Sequence, residues 1–175
     1  MPIRKKILRE ELREKIVGKT GDSAGVVRLV MAYLDNHPKI QVVALFAPIP
    51  GEVDLLALVG DTNRVWVFPK VTGERLTFYH VRNLKKDLLR GAYGILEPNK
   101  RLPVVFTDEI DLFLCPGLGF DRIGGRIGRG KGYYDRTLAG ARIDATRLGI
   151  CFDFQLVNEV VMEDHDIRMH GVIAG

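Results

Sequence analysis

An α/β fold built on a parallel sheet with both faces covered is what this sequence predicts, and three observations carry the prediction. Short apolar runs (the β-branched QVVALFA at 41–47, DLFLC at 111–115, RLGICF at 147–152) alternate with stretches of helical periodicity. The runs are apolar throughout rather than at every second residue, as strands buried on two faces require. The chain of 175 residues, 46% hydrophobic and 27% charged, is long enough to bury about 70% of the surface it exposes when unfolded. That composition excludes collagenous, low-complexity and wholly disordered chains.

The elements follow in order. Residues 4–17 are expected to be helical because Leu8, Leu12 and Ile16 recur every four residues among polar ones. A second helix is expected from Ser23, placed after Asp22 to cap it, to about Leu34, with His37-Pro38 as its stop. The strand at 41–47 is broken by Pro48 and Pro50-Gly51, and 53–59 is expected as a short helix. Residues 64–71 and 75–81 are expected as a hairpin around Thr72-Gly73-Glu74, and 83–89 as another short helix. After the strand at 111–115, Pro116-Gly117 opens a glycine-dense loop that leads into a helix at 133–139. A strand at 147–152, a helix at 155–161 and a short strand at 172–174 complete the expectation. No internal repeat and no Ser/Gly-rich linker divides the chain, so residues 1–175 are expected to form a single domain.

Lys and Arg number 26 against 22 Asp and Glu, a net charge of +4. That bias is mild for a protein that coats a polyanion, and it suits anionic small molecules equally well. No apolar run reaches the roughly 18 residues of a membrane span. The first 15 residues lack an apolar core and carry Glu10, Glu11 and Glu14, so no secretory or transit leader is expected. The cytoplasm is the expected compartment. Cys115 and Cys151 lie in apolar stretches with no C-x-x-C spacing, which points to reduced, buried thiols.

Open parallel sheets bind ligands beyond the carboxyl ends of their strands, here the segments after Ala47, Cys115 and Phe152. The segment Gly124-Gly125-Arg126-Ile127-Gly128-Arg129-Gly130-Lys131-Gly132 carries five glycines in nine residues. Glycines let backbone amides converge on an anion, and Arg126, Arg129 and Lys131 add full charges, so polyphosphate binding outweighs a mobile surface loop. Gly125 to Lys131 fits G-x-x-x-x-G-K, but Gly132 replaces the Ser/Thr that would hold Mg²⁺, and Tyr133 replaces the third glycine of G-x-G-x-x-G. Asp135 at the start of the following helix is either a dipole-complementing residue or a Mg²⁺ ligand. Glu163-Asp164-His165-Asp166 is either a solvated turn or, through Asp166, a second metal ligand. Glu52, in Pro50-Gly51-Glu52-Val53-Asp54, either caps a helix or accepts N–H bonds from a polar substrate. Lys5 and Arg9 share one helix face, solvated or gripping. Tyr133 and Tyr134 stack on a flat ring or anchor the core. The four histidines show no zinc spacing, and no G-x-S-x-G elbow is present.

Taken together these stretches resemble the 5-formyltetrahydrofolate cyclo-ligase family. Cys115-Pro116-Gly117-Leu118-Gly119-Phe120-Asp121 resembles the family's P-G-L-x-F-D, and RIGRGKGYYDR at 126–136 is similar to its signature R-[LI]-G-x-G-x-G-Y-Y-D-[RK]. KKILR at 5–9, GEVD at 51–54, GILEP at 94–98 and Gln155 with Glu163 to Asp166 extend the likeness in order along nearly the whole chain, while the stretch between Pro98 and Asp111 lacks a clear family pattern.

The resemblance implies a three-layer α/β/α fold with a mostly parallel sheet, the NagB/RpiA/CoA transferase-like arrangement. It implies closure of 5-formyltetrahydrofolate to 5,10-methenyltetrahydrofolate with ATP as co-substrate and Mg²⁺ as cofactor. ATP would meet Lys5, Lys6, Ile7, Leu8 and Arg9, and the loop Arg126, Ile127, Gly128, Arg129, Gly130, Lys131, Gly132, Tyr133 and Tyr134. The folate would meet Ala47, Glu52, Arg129, Gly130, Lys131, Gly132 and Tyr133. Arg129, Lys131 and Tyr133 would act in catalysis, and Asp135 and Asp166 would hold the metal. The expected partners are small molecules, a reduced folate and ATP, without nucleic acid or membrane, and the expected state is a monomer. The alternatives are an ATP-dependent ligase or kinase with another acceptor and, well below it, an RNA-binding module, which would need more aromatics among its cations than Tyr133 and Tyr134.

Overall fold

A computed structural model describes residues 3–175. Helix α1 (Ile3–Ile16) and helix α2 (Ser23–Asp35) come first, followed by strand β1 (Val42–Ala44) and the hairpin of β2 (Val65–Thr72) and β3 (Arg75–His80). A short helix α3 (Leu84–Asp87) leads into a two-stranded flap, β4 (Leu88–Arg90) with β5 (Leu96–Pro98). Then come β6 (Val104–Val105), β7 (Leu112–Cys115) and a second small ribbon, β8 (Gly119–Phe120) with β9 (Arg126–Ile127). Helix α4 (Tyr133–Leu138), β10 (Thr146–Cys151) and β11 (Gly171–Ala174) complete the order.

Seven strands share one sheet in the order β11-β10-β7-β1-β2-β3-β6. The pairings from β11 through β2 are parallel, and those of β3 with β2 and β6 are antiparallel. Side chains of successive strand residues point to opposite faces, which sorts the apolar runs into two cores. On one face Val43, Trp66, Phe68, Leu112, Leu114, Leu148 and Ile150 pack with Val26, Val30 and Leu34 of α2. On the other, Ala44, Val67, Phe113 and Cys115 pack with Phe78 and with Leu138 of α4. The result is the three-layer α/β/α fold with a mostly parallel sheet. Helix α1 stands apart, with Leu12 and Ile16 packed on Leu118, Ile127 and Val160. Both cysteines are free and buried, and burial pushes each thiol up to about 12.

Three local expectations fail for the same reason. The helix expected at 155–161 does not form; only a single turn, Asp153–Gln155, is present. The Val157 amide donates to the Phe120 carbonyl and the Val160 amide to the Asp121 carboxylate, so this backbone bonds to β8 and its exit instead of to itself. The helix expected at 53–59 shrinks to the turn Leu56–Gly60, because the Asp54 amide donates to the Ser23 hydroxyl. That same bond takes Ser23 away from capping; α2 begins at Ser23 with Asp22 as its N-cap residue and no side-chain cap bond. The helix expected at 83–89 stops after Asp87, since Leu88 to Arg90 are drawn into pairing with β5. In each case a partner outside the helix, remote in the first two and the neighbouring strand β5 in the third, outcompetes the local helix, which gains little per turn on its own.

Candidate active site

A cavity of about 800 Å³ opens beyond the carboxyl ends of β1, β2 and β7. Phe46 and Ala47 leave β1 into its wall, Lys70 and Val71 end β2 there, and Pro116 and Gly117 leave β7. The exit of β10 does not contribute. Phe152 is buried in the core on the α2 side, and the chain returns to the cavity only at Glu163, His165 and Asp166.

The glycine-dense loop forms a second wall, and its position is fixed from beneath. The buried Asp121 carboxylate accepts from the amides of Ile123 (3.1 Å), Gly125 (2.7 Å) and Val160 (2.8 Å), tying both ends of the β8–β9 ribbon to the returning chain. Beyond β9 the loop turns at Gly130 (φ 104°) and Gly132 (φ 72°), backbone conformations that favour glycine. Its carbonyls are held by guanidinium groups. Arg9 Nε donates to the Gly128 carbonyl at 2.9 Å, Arg13 to that of Arg129 at 3.2 Å, and Arg136 to that of Lys131 at 2.6 Å. Helix α1 therefore acts as a clamp, and Lys5, one turn before Arg9, reaches the cavity from the same face.

Charges in the cavity are paired across elements. Lys5, 4% exposed at its side chain, lies between Glu163 (3.3 Å) and Asp166. Burial acts to raise the Asp166 carboxyl, but the Lys5 ammonium, the Glu163 amide and nearby His165 outweigh it and hold the group below its ordinary value. Arg126 donates to the Pro116 carbonyl, lies 3.6 Å from Asp135 and sits over the Tyr134 ring at 5.3 Å, while its Nε is buried without a hydrogen-bond partner. Arg129 stands 3.7 Å from Glu52, whose other oxygen accepts from the Ile49 amide at 3.1 Å. Burial pushes the Glu52 carboxyl from 4.5 up to about 7, against that amide and Arg129, which act the other way. Lys131 is exposed and makes no ion pair among the described residues.

Most residues singled out in the sequence meet here. Lys5, Arg9, Ala47, Glu52, Arg126, Gly128 to Asp135 and Asp166 all line the one cavity. Four do not. Lys6 and Ile7 are exposed on α1, turned away from the face that carries Lys5 and Arg9, and Leu8 and Ile127 belong to the apolar cluster beneath α1. The two proposed metal carboxylates are engaged separately, Asp135 by Arg126 and by the Ile167 amide (3.0 Å), Asp166 by Lys5. The group whose ligand atoms gather within 4.8 Å of one another is Glu163, His165 and Asp166. Sequence reasoning missed the third wall altogether: Pro69, Lys70 and Val71 of β2, Leu76 of β3, and Ala92, Ile95, Leu96 and Glu97 of the flap. The GILEP stretch was the one signal available for it.

Residues 2–175 match the model of the 5-formyltetrahydrofolate cyclo-ligase family. The chain belongs to that family. Among curated relatives, the 5-formyltetrahydrofolate cyclo-ligase of Mycoplasma pneumoniae is 27% identical over 175 residues, 98% of this chain and 95% of that protein. The enzyme of the same name from Mycolicibacterium smegmatis is 39% identical over 87 residues, 49% of this chain and 45% of that protein. The NMR structure of Aquifex aeolicus 5,10-methenyltetrahydrofolate synthetase matches with a TM-score of 0.79 at 31% identity, covering 97% of this chain and 89% of that one. In this member of the cyclo-ligase family, the cavity is thus lined by the stretches that carry the family likeness, and the wall from β2, β3 and the flap adds an apolar face to them. No described helix is long and apolar enough to cross a membrane.

Proposed function

We propose that this chain is a 5-formyltetrahydrofolate cyclo-ligase that uses ATP and Mg²⁺ to form 5,10-methenyltetrahydrofolate, releasing ADP and phosphate. The observation that carries the reading is the meeting of two unlike surfaces in one cavity, a cationic glycine loop and an apolar wall, with Arg129 of the loop reaching Glu52 beyond β1.

The chemistry explains why both are needed. Ring closure must expel the formyl oxygen, which is a poor leaving group as oxide or hydroxide. Transfer of the γ-phosphoryl group to that oxygen turns it into phosphate. N10 then attacks the activated carbon, the carbon–oxygen bond breaks, and the N10 proton leaves to base. The protein's task is to hold ATP and the formyl oxygen in line and to offset charge. Arg126, Arg129, Lys131 and the loop amides from Gly128 to Tyr134 take the triphosphate, with Lys5 and Arg9 from α1. The apolar wall takes the pterin and aminobenzoyl rings, and Glu52 takes their N–H groups. Arg129, Lys131 and Tyr133 lie between the two ligands and carry the transfer.

A hard divalent ion suits the residues present. Glu163 and Asp166 offer carboxylates, with the His165 ring, inside 4.8 Å, and Asp135 stands on the same cavity; Mg²⁺ takes one or two carboxylates with phosphate and water. When bound, Mg²⁺ supplies charge compensation to the phosphates.

The test is direct: incubate the protein with 5-formyltetrahydrofolate, ATP and Mg²⁺ and follow the absorbance of methenyltetrahydrofolate. Its appearance, dependent on all three, is the expected result. Absence of the product while ATP still binds would refute the folate reading and leave another acceptor for the same nucleotide site.

A further inference from the structure

Among the described residues, the third wall of the cavity contains one cation, Lys70, near the carboxyl end of β2. Its neighbours there, among them Pro69, Val71, Ile95 and Leu96, are apolar, and its ammonium meets the carboxylate of Glu97 at 2.8 Å. Glu97 lies on β5, so this ion pair fastens the β4–β5 flap to the edge of the main hairpin. Both side chains are 32% exposed and both line the cavity. Water reaches the pair, and a ligand carboxylate can therefore replace Glu97 at Lys70 without burying either group alone.

We propose that Lys70 is a specificity residue that receives a carboxylate of the substrate's glutamate moiety, with Glu97 holding that place in its absence. The inference rests on the folate reading above. A reduced folate is a flat heterocycle and a benzoyl ring ending in a glutamate that carries two carboxylates. Its rings suit the apolar part of this wall, and its acidic end then needs a cation beyond them. The cations of the loop and α1 that line the cavity are taken by the triphosphate in that reading, Lys131 among them, and the other four already have protein partners: Arg126 at Asp135, Arg129 at Glu52, Lys5 at Glu163 and Asp166, and Arg9 at the Gly128 carbonyl. Lys70 is instead held by a single carboxylate that is chemically the same as the ligand's.

The two partners therefore have opposite effects. Lys70→Met removes the receiving charge, and Glu97→Gln removes its competitor. Binding of 5-formyltetrahydrofolate and of 5-formyltetrahydropteroate, which lacks the glutamate, is measured by calorimetry, alongside KM and kcat for ring closure. Lys70→Met should weaken binding and raise KM for the full folate about tenfold, the loss expected for one charge-assisted hydrogen bond, with kcat and KM for ATP unchanged. Glu97→Gln should strengthen binding of the full folate about two- to threefold. Neither change should alter binding of the truncated compound. If both substitutions weaken binding together, or weaken the truncated compound as much as the full one, the ion pair is only a fastening for the flap and the proposal is overturned. Normal discrimination by calorimetry with no ring closure would refute the activity while keeping the Lys70 contact. A wild-type chain that binds neither compound overturns both.

Discussion

The side chain of Glu52 is 9% exposed, and burial lifts its carboxyl from 4.5 to about 7. The proton is thus held more tightly in the folded chain than in the unfolded one. Below pH 4.5 the group is neutral in both states and imposes no penalty. As pH rises from 4.5 to 7 the unfolded chain releases the proton first, and stability falls. Above 7 the folded protein carries a buried ion, at a cost of about 3 kcal/mol from 1.36 kcal/mol per pH unit. Glu52→Gln removes the ionisation and keeps an oxygen for the Ile49 amide, while Arg129, 37% exposed, turns to water. The variant should therefore be more stable than wild type by up to about 3 kcal/mol at pH 8, with the gain vanishing as pH approaches 4.5. Urea unfolding followed by the single tryptophan, Trp66, which is 2% exposed, reads this directly. With a slope of roughly 2 kcal/mol per M, the midpoint at pH 8 should rise by about 1.5 M. The same change should lower kcat/KM for the folate by at least about tenfold, a trade of function for stability. A variant no more stable at pH 8, or a gain independent of pH, would refute this account of the buried carboxylate.

Two further outcomes follow from the cavity and its supports. Asp135→Asn keeps an oxygen for the Ile167 amide but loses its charge; Mg²⁺-dependent turnover should fall at least about tenfold while stability by urea stays within about 1 kcal/mol. Gly124 has φ 92°, and a Cβ there would overlap the Met169 carbonyl, whereas Gly73 has φ 62° with open space around it. Gly124→Ala should therefore cost several kcal/mol or prevent folding, and Gly73→Ala only about 1–2 kcal/mol, the strain of the left-handed conformation alone.

Near neighbours made much of this protein readable from its sequence. The four-residue recurrence of Leu8, Leu12 and Ile16 specified α1, and the apolar runs around Val43, Leu114 and Ile150 specified strands buried on two faces. The glycine-dense run at 124–132, with Arg126, Arg129 and Lys131 in it, marked the loop, and Gly130 and Gly132 turn it through left-handed conformations. Those features depend on chemistry within a few residues. The failures lie where partners are remote. Val157 and Val160 spend their amides on β8 and Asp121 rather than on a helix. Ile127 sits inside the signature run but is an interior residue beneath α1.

Which acid faces which cation was equally hidden. Lys5 and Asp166 are 161 residues apart in sequence, and Arg126 shares Asp135 with a backbone amide of the returning chain. The sequence alone determined α1, the buried strands of the sheet, the layered α/β class and the glycine loop, because periodicity and backbone freedom are local properties. Only the tertiary structure decided the third wall, the raised carboxyl of Glu52 and the pairing of charges. Burial and Coulomb attraction act through space, between groups whose separation no spacing along the chain records.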